Sequence, residues 1–293
     1  MQTRRRVFLL SFCTVFLWAS AFPLTKVVQE HFQSNALGFV RCSIAAIFLI
    51  CIGKICHIHL PKKKDIPWFF LSGGLGFTLY MIFFNTGILT LTSATSSILI
   101  ALTPIMTAIV ASKFYGEHIK PIGWIAIGTA FFGVLVLLLW DGVLSINIGM
   151  LWTLGAAIVF CGYNIVSRQL GNKGYSALEI VTYSMICGAI LLGFWSVQGI
   201  QQLMTSDATH IFALIYLGAL PSAAAYFLWG KAMSLAERTS EVTNFMFVTP
   251  LLSTILGFII LHEVPNIGTF LGGAIIIISI VVFNTKGKSG PPA

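Results

Sequence analysis

A chain of 293 residues that is 57% hydrophobic and 9% charged, with a mean hydropathy of +0.92, excludes a soluble fold. Soluble domains carry about 25% charged residues, and lipid is the solvent this composition requires. The net charge of +8 does not point to nucleic acid, because the basic residues sit in short connections between apolar runs, where they act as topology signals.

Ten apolar segments follow in chain order, each close to the roughly 20 residues a helix needs to cross the hydrocarbon. They predict an all-α membrane protein of ten transmembrane helices, since continuous apolar runs without alternation are helical. The first, about 7–28, begins after Arg4, Arg5 and Arg6 and contains Ala19-Ser20-Ala21, which mimics a signal-peptide cleavage site. The apolar run continues through Pro23 and Leu24 to Val28, so it is read as a retained first helix. The next four cover about 36–53, 67–89, 93–114 and 120–140. The last five cover about 149–169, 177–197, 209–232, 239–260 and 266–284. The end of the chain, Lys286 to Ala293, is expected to be a short disordered cytoplasmic tail.

Lysine and arginine are concentrated in alternate connections. They include Arg4–Arg6, Lys54, Lys62–Lys64, Lys113, Lys120, Arg168, Lys173, Arg238, Lys286 and Lys288. The intervening connections hold Glu30, Asp141, Asp207 and Glu263 and almost no cation, Lys26 being the exception. This bias places both termini in the cytoplasm, in a multi-pass protein of the inner (plasma) membrane.

The chain repeats itself. LTPIMTAIVASKFYGE at 102–117 returns as VTPLLSTILGFIILHE at 248–263, 146 positions later and without a gap. The same offset pairs Leu71 with Leu217, Tyr80 with Tyr226 and Leu89 with Leu235. A duplication is the simplest source of such a pattern. It divides the chain into a five-helix repeat at 1–144 and a second at 145–285, followed by the tail at 286–293. Five is odd, so the second repeat enters the membrane upside down. The charges agree: the lysine-rich connection after the second segment has a partner around Asp207 with no lysine at all. Inverted-topology repeats are an architecture of alternating-access transporters.

With these features the sequence resembles the drug/metabolite transporter superfamily, EamA type, over essentially its whole length. The resemblance rests on LWASAFPLTK at 17–26, FVRCSIAA at 39–46, TPIMTAIVASKFYGE at 103–117 and TPLLSTILGFIILHE at 249–263. It implies a carrier that moves small metabolites across the inner membrane, commonly outward, from a cavity between the halves. The sequence departs from the common pattern at Val264-Pro265-Asn266, and at Ser279, which stands where Gly133 stands in the first repeat. Nucleotide-sugar or drug carriage within the same superfamily, and a scaffold without transport, are the alternative functions.

Candidate substrate-binding residues follow from chemistry at depth. Thr103-Pro104 and the repeat-related Pro250 sit near the centres of the fourth and ninth segments, where proline kinks a helix and frees a carbonyl. Trp18 and Phe22 lie one turn apart in the first segment, and Tyr80 and Phe84 in the third. Tyr163 and Asn164 lie in the sixth, Tyr226 and Trp229 in the eighth, and Asn244 in the ninth. A phenol or indole inside a bilayer needs a polar partner or water. Arg41 lies about a turn inside the second segment, near the outer face, and is read as a partner for a substrate carboxylate or a helix end. Lys26 is read as snorkelling to the headgroups. Glu117 and Glu263 are read as caps on the fifth and tenth helices.

Absences matter too. No aspartate or glutamate lies mid-segment, so a strongly cationic solute is disfavoured, and uniport or exchange is expected over proton coupling, unless a group near the surface such as Glu179 takes part. No nucleophile–base pair or paired carboxylate suggests an enzyme. The six cysteines form no CxxC pair and no zinc spacing, so neither metal nor cofactor is expected. Gly268 and Gly272 on the tenth segment, with Gly123, Gly128 and Gly133 on the fifth, suggest close helix contact within a monomer rather than a dimer face. The partners expected are a small neutral or zwitterionic solute, such as an amino acid, and the lipid bilayer.

Overall fold

The computed structural model describes residues 2–114, 119–139, 147–235, 242 and 244–287. Helix α1 is Gln2–Gln29, α2 is Ser34–Ile55 and α3 is Lys63–Gly87. The fourth apolar segment is two helices, α4 Ser93–Ile100 and α5 Thr103–Phe114. Then come α6 Pro121–Leu139, α7 Ile148–Asn172 and α8 Ala177–Met204. Helix α9 runs as Ala208–Ala219, a π-helical turn Leu220–Ala224, and Ala225–Leu235. A 3₁₀ turn, Asn244–Phe247, opens α10, Val248–Leu261, and α11 is Ile267–Val282. Among the described residues, eight helical spans are long and apolar enough to cross a membrane, and the stretches 121–136 and 248–261 are shorter apolar helices.

Helix ends obey capping chemistry. Asn266 caps α11 through Thr269 N (2.7 Å), and Asp207 caps α9 through His210 N (2.9 Å). Ser176 and Glu179 form a reciprocal capping box at the start of α8. Glu263 therefore does not cap the last helix, as its sequence position suggested; the side chain three residues on does so. Glu117 lies outside the described residues, as do Asp141, Arg238 and positions 288–293. Lys286, expected in a disordered tail, belongs to a π-helical turn Phe283–Gly287, and the Gly287 carbonyl accepts from Lys120 N at 2.9 Å.

The prolines also differ from expectation. Pro104 is the second residue of α5, after a break at Ala101-Leu102, and Pro250 is the third residue of α10. Each begins a helix instead of kinking one, because the first turn has no use for the N–H that proline lacks. The carbonyl left over at Ile100 is taken by the Thr103 hydroxyl at 2.7 Å. It is not a free acceptor.

Packing runs mainly between the two halves of the chain. Helix α6 lies along α11, α2 along α8, α4 along α10, α3 along α7, and α1 along both α9 and α10. Helix α6 brings Gly133 against α11, where a Cβ would meet Ile276 at 2.7 Å and the Gly272 carbonyl at 3.0 Å, whereas Gly128 faces open space. Gly73 on α3 is more constrained: a Cβ there would lie 2.4 Å from the Ser184 carbonyl on α8. The two π-helical turns, Gly74–Leu79 and Leu220–Ala224, begin 146 positions apart, the offset of the sequence repeat.

Thr103→Val keeps the shape of the buried side chain and removes the donor to Ile100. It is expected to destabilise the fold by about 1–3 kcal/mol, the cost of an unsatisfied buried polar group, while Thr103→Ser is near neutral. Thermal unfolding of the detergent-purified variants measures this; equal midpoints for valine and serine would show that the break needs no hydroxyl.

Candidate functional site

The three helices α1, α3 and α9, with α2, α4, α7 and α10 beside them, surround a central cavity of about 80 Å³. A single water needs roughly 10–15 Å³, so the space admits a small solute or a few waters. Its aromatic wall is Trp18, Phe22, Phe77, Tyr80, Phe84, Phe160 and Tyr226. The rings brace one another edge to face: Trp18 against Tyr226 at 5.4 Å, Phe22 against Phe84 at 5.4 Å and Phe77 against Tyr226 at 5.8 Å. The polar lining is Arg41, Ser97, Ser222 and Thr249 with the two tyrosines. Among the described residues no aspartate or glutamate lines it.

The structure brings six of the candidate residues to this cavity: Trp18, Phe22, Arg41, Tyr80, Phe84 and Tyr226. The others lie outside its lining. Tyr163 is buried in the core against Phe77 and Phe160, and Asn164 donates to the Thr107 hydroxyl (3.4 Å), tying α7 to α5. Trp229 stacks behind Trp18 at 5.1 Å. Thr103, Pro104 and Pro250 belong to helix starts near the cavity but do not line it, and the Asn244 side chain lies outside the described residues. Reading the sequence missed Ser97, Ser222, Thr249 and Phe160 as lining residues. The repeat offset held a clue to Thr249, since Thr103 is its partner; small hydroxyls in apolar segments gave no signal of direction.

Arg41 sits two turns inside α2, deeper than its sequence context implied, because the helix starts at Ser34. It is 5% exposed. Its Nε donates to Ser222 Oγ at 2.8 Å and its Nη1 to Thr25 Oγ1 at 3.4 Å. Among the described residues no carboxylate lies within ion-pair distance of it.

Trp18, Phe22 and Lys26 occupy successive turns of one face of α1. Lys26 does not snorkel. It is ion-paired with Glu263 and donates to the Leu91 carbonyl at 2.9 Å. Glu263 also accepts the Ser93 amide at 2.7 Å, the first N–H of α4. The arrangement depends on His262, whose left-handed φ of 55° ends α10 and turns Glu263 back, its N–H bonding the Gly257 carbonyl at 3.2 Å. One carboxylate thus joins α1, α4 and the end of α10, one turn beyond the Phe22–Phe84 layer.

Two further polar groups prove structural. Asn85 is fully buried, donates to the Ser34 carbonyl at 2.9 Å and ties α3 to α2. Glu179, considered for coupling, accepts from Ser176 N at 2.7 Å, Ser176 Oγ at 2.8 Å and His59 N at 3.0 Å. Its oxygens are committed to a cap and a loop.

A model of the EamA-like transporter family matches the chain twice, over residues 5–139 and 147–285. An uncharacterized transporter of Bacillus subtilis, YdfC, is 31% identical over 261 residues, covering 88% of this chain and 84% of its own. A probable terminal-alkyne amino-acid exporter of Streptantibioticus cattleyicolor is 26% identical, covering 93% and 91%. The pseudopaline exporter CntI of Pseudomonas aeruginosa is 21% identical, covering 96% of each chain. A solved crystal structure shares the fold with a TM-score of 0.64 at 18% identity, covering 96% of this chain and 97% of its own.

Glu263→Ala leaves Lys26 with one carbonyl and the Ser93 amide with no carboxylate acceptor. A loss of about 1–3 kcal/mol is expected, with Glu263→Gln losing less because it still accepts. Thermal melts of the purified variants decide it; an alanine variant as stable as the parent would remove any structural weight from the ion pair.

Proposed function

Because the chain belongs to the EamA-like transporter family, we propose that it is a secondary transporter that moves small neutral or zwitterionic metabolites of amino-acid type outward across the inner membrane, by export or exchange. The observation that carries this reading is the cavity: it lies at the seam between the halves, walled by aromatic rings, with one cation and no carboxylate lining it among the described residues. Such a lining suits an amphipathic solute whose net charge is zero or negative. The exporter names of two relatives, one for an amino acid, point the same way.

The proposed mechanism is alternating access in a monomer of two inverted five-helix repeats, with the repeat boundary at 144/145 and both termini cytoplasmic. Support comes from the helix pairings, which exchange in twos under the repeat: α1–α9 answers α3–α7, and α1–α10 answers α5–α7. The break between α4 and α5, the 3₁₀ entry to α10 and the two π-helical turns supply non-α backbone beside the cavity. In transporters such irregular backbone is tolerated where it lines a cavity. The Lys26–Glu263 pair and the Phe22–Phe84 layer together form the gate at one end. With Glu179 committed to its cap, exchange of one solute for another is the favoured coupling.

Uptake and efflux of a metabolite panel in vesicles holding the purified protein test the function. Tyr80→Ala and Tyr226→Ala are expected to slow transport at least about tenfold, since each ring contributes roughly 1.5–3 kcal/mol of buried contact. Wild-type rates in both variants would return the tyrosines to packing residues. For topology, a single cysteine at position 207 is expected to react with an impermeant reagent from outside, and one at position 63 is not; the reverse pattern would overturn the orientation.

A further inference from the structure

We propose that Arg41, braced by Ser222 and Thr25, is a carboxylate-binding subsite that requires the transported solute to carry one carboxylate. This rests on the transport reading above and names the chemistry its substrate must have.

Lys26 meets Glu263, and Lys173 meets Asp65 at 2.6 Å, although their side chains are 24% and 35% exposed. Arg41 is more deeply buried than either and has no carboxylate among the described residues. A buried cation in a membrane protein is costly unless it is paired or faces a cavity. Arg41 faces the cavity.

Its anchors leave the rest of the guanidinium free. Nε and Nη1 bond neutral hydroxyls, Ser222 on α9 and Thr25 on α1. A guanidinium has five N–H donors in a planar fork, and a carboxylate is the partner that matches two of them at once. The hydroxyls hold the fork without neutralising it. One anchor comes from each half of the chain, so the fork is placed at the seam.

The remaining lining sets the rest of the ligand. Trp18 and Tyr226 line the same cavity as the arginine, and among the described residues no carboxylate lines it for an ammonium group. A substrate amine would rest against aromatic faces by cation–π attraction, which is a weaker claim on charge than an ion pair. The substrate class is therefore a small monocarboxylate with an apolar or amphipathic body, apolar amino acids included. Amines and amides that lack the carboxylate lose the arginine, and dicarboxylates find no second cation in the lining.

The test is isothermal titration of the full-length, detergent-purified protein with L-leucine, L-methionine and L-phenylalanine, and with the amide and the decarboxylated amine of each. At least one acid is expected to bind tenfold or more tightly than its amide and its amine. Arg41→Gln is expected to abolish that preference and Arg41→Lys to keep part of it. Ser222→Ala, which removes only a brace, is expected to weaken acid binding severalfold in a protein that still folds. Equal binding of acids and amides by the wild type, failure of every acid to bind, or an undiminished preference in both Arg41→Gln and Ser222→Ala would overturn the subsite. Vesicle transport separates this from the broader reading. Transport of amides and amines as fast as acids leaves the transporter and removes the subsite. Tight, arginine-dependent acid binding without transport does the converse.

Discussion

Lipid offers a backbone no hydrogen bonds, and the structure is arranged around that constraint. The fourth apolar segment can break only because the Thr103 hydroxyl takes the Ile100 carbonyl that Pro104 cannot serve. Helix α4 can start inside the protein because the Thr92 side chain takes the Thr95 amide and Glu263 the Ser93 amide. The same carboxylate neutralises Lys26, so one residue answers both a charge and a helix end. Without these satisfactions the break and the internal helix start would leave buried backbone groups unpaired, at a cost of about 1–3 kcal/mol each.

The cavity follows from the way the halves mesh. Helices of one half pack chiefly on helices of the other, so the space at the seam is bounded by α1, α2, α3 and α4 from one side and α7, α9 and α10 from the other. Rings fill most of it. Aromatic side chains bring large contact area with few rotatable bonds, and edge-to-face pairing lets them form a wall without collapsing the space they enclose. The hydroxyls of Ser97, Ser222 and Thr249 are small enough to sit between rings. Movement of one half against the other would change this wall everywhere at once, which is how a central site can be exposed to alternate sides.

The sequence made the helices legible because each is an apolar run of membrane-spanning length, and made the repeat legible because two sixteen-residue stretches still align without a gap. Depth, which a uniform 1.5 Å rise preserves, pointed to Trp18, Tyr80 and Tyr226, and the structure places these beside one cavity, whereas Arg41, read as near the outer face, lies deeper and lines the same cavity. Direction around the helix was harder. Tyr163 and Asn164 have the right depth and face the core and α5 instead. A π-helical turn at Gly74–Leu79 shifts the angular register of α3, and nothing in the composition announces such a turn. Charges near segment ends were misjudged for another reason. Lys26 and Glu263 are 237 positions apart, and a pairing at that range is invisible to a reading of local context. Glu263 looked like a local cap because capping is a local rule; the turn at His262 sends it elsewhere.

The duplication explains what is symmetric, and the departures from it define the chemistry. Tyr80 and Tyr226 are repeat partners, as are the two π-helical turns, Thr103 with Thr249, and Pro104 with Pro250. These supply the frame. The two cations are not duplicated: the counterpart of Arg41 is Cys187 and that of Lys26 is Asn172, whereas Glu263 keeps its partner in Glu117. A symmetric frame alone would bind a solute equally well in two opposed orientations. A single cation at the seam removes that degeneracy, because a carboxylate can satisfy it in only one. Likewise, the repeat position that answers Lys26 holds no lysine, so the Lys26–Glu263 ion pair is not repeated at that offset. A frame repeated in both halves is neutral between the two forms that the proposed alternation requires, and single-copy cations would make those forms unequal toward a charged solute, which is the condition for a ligand to shift the balance between them.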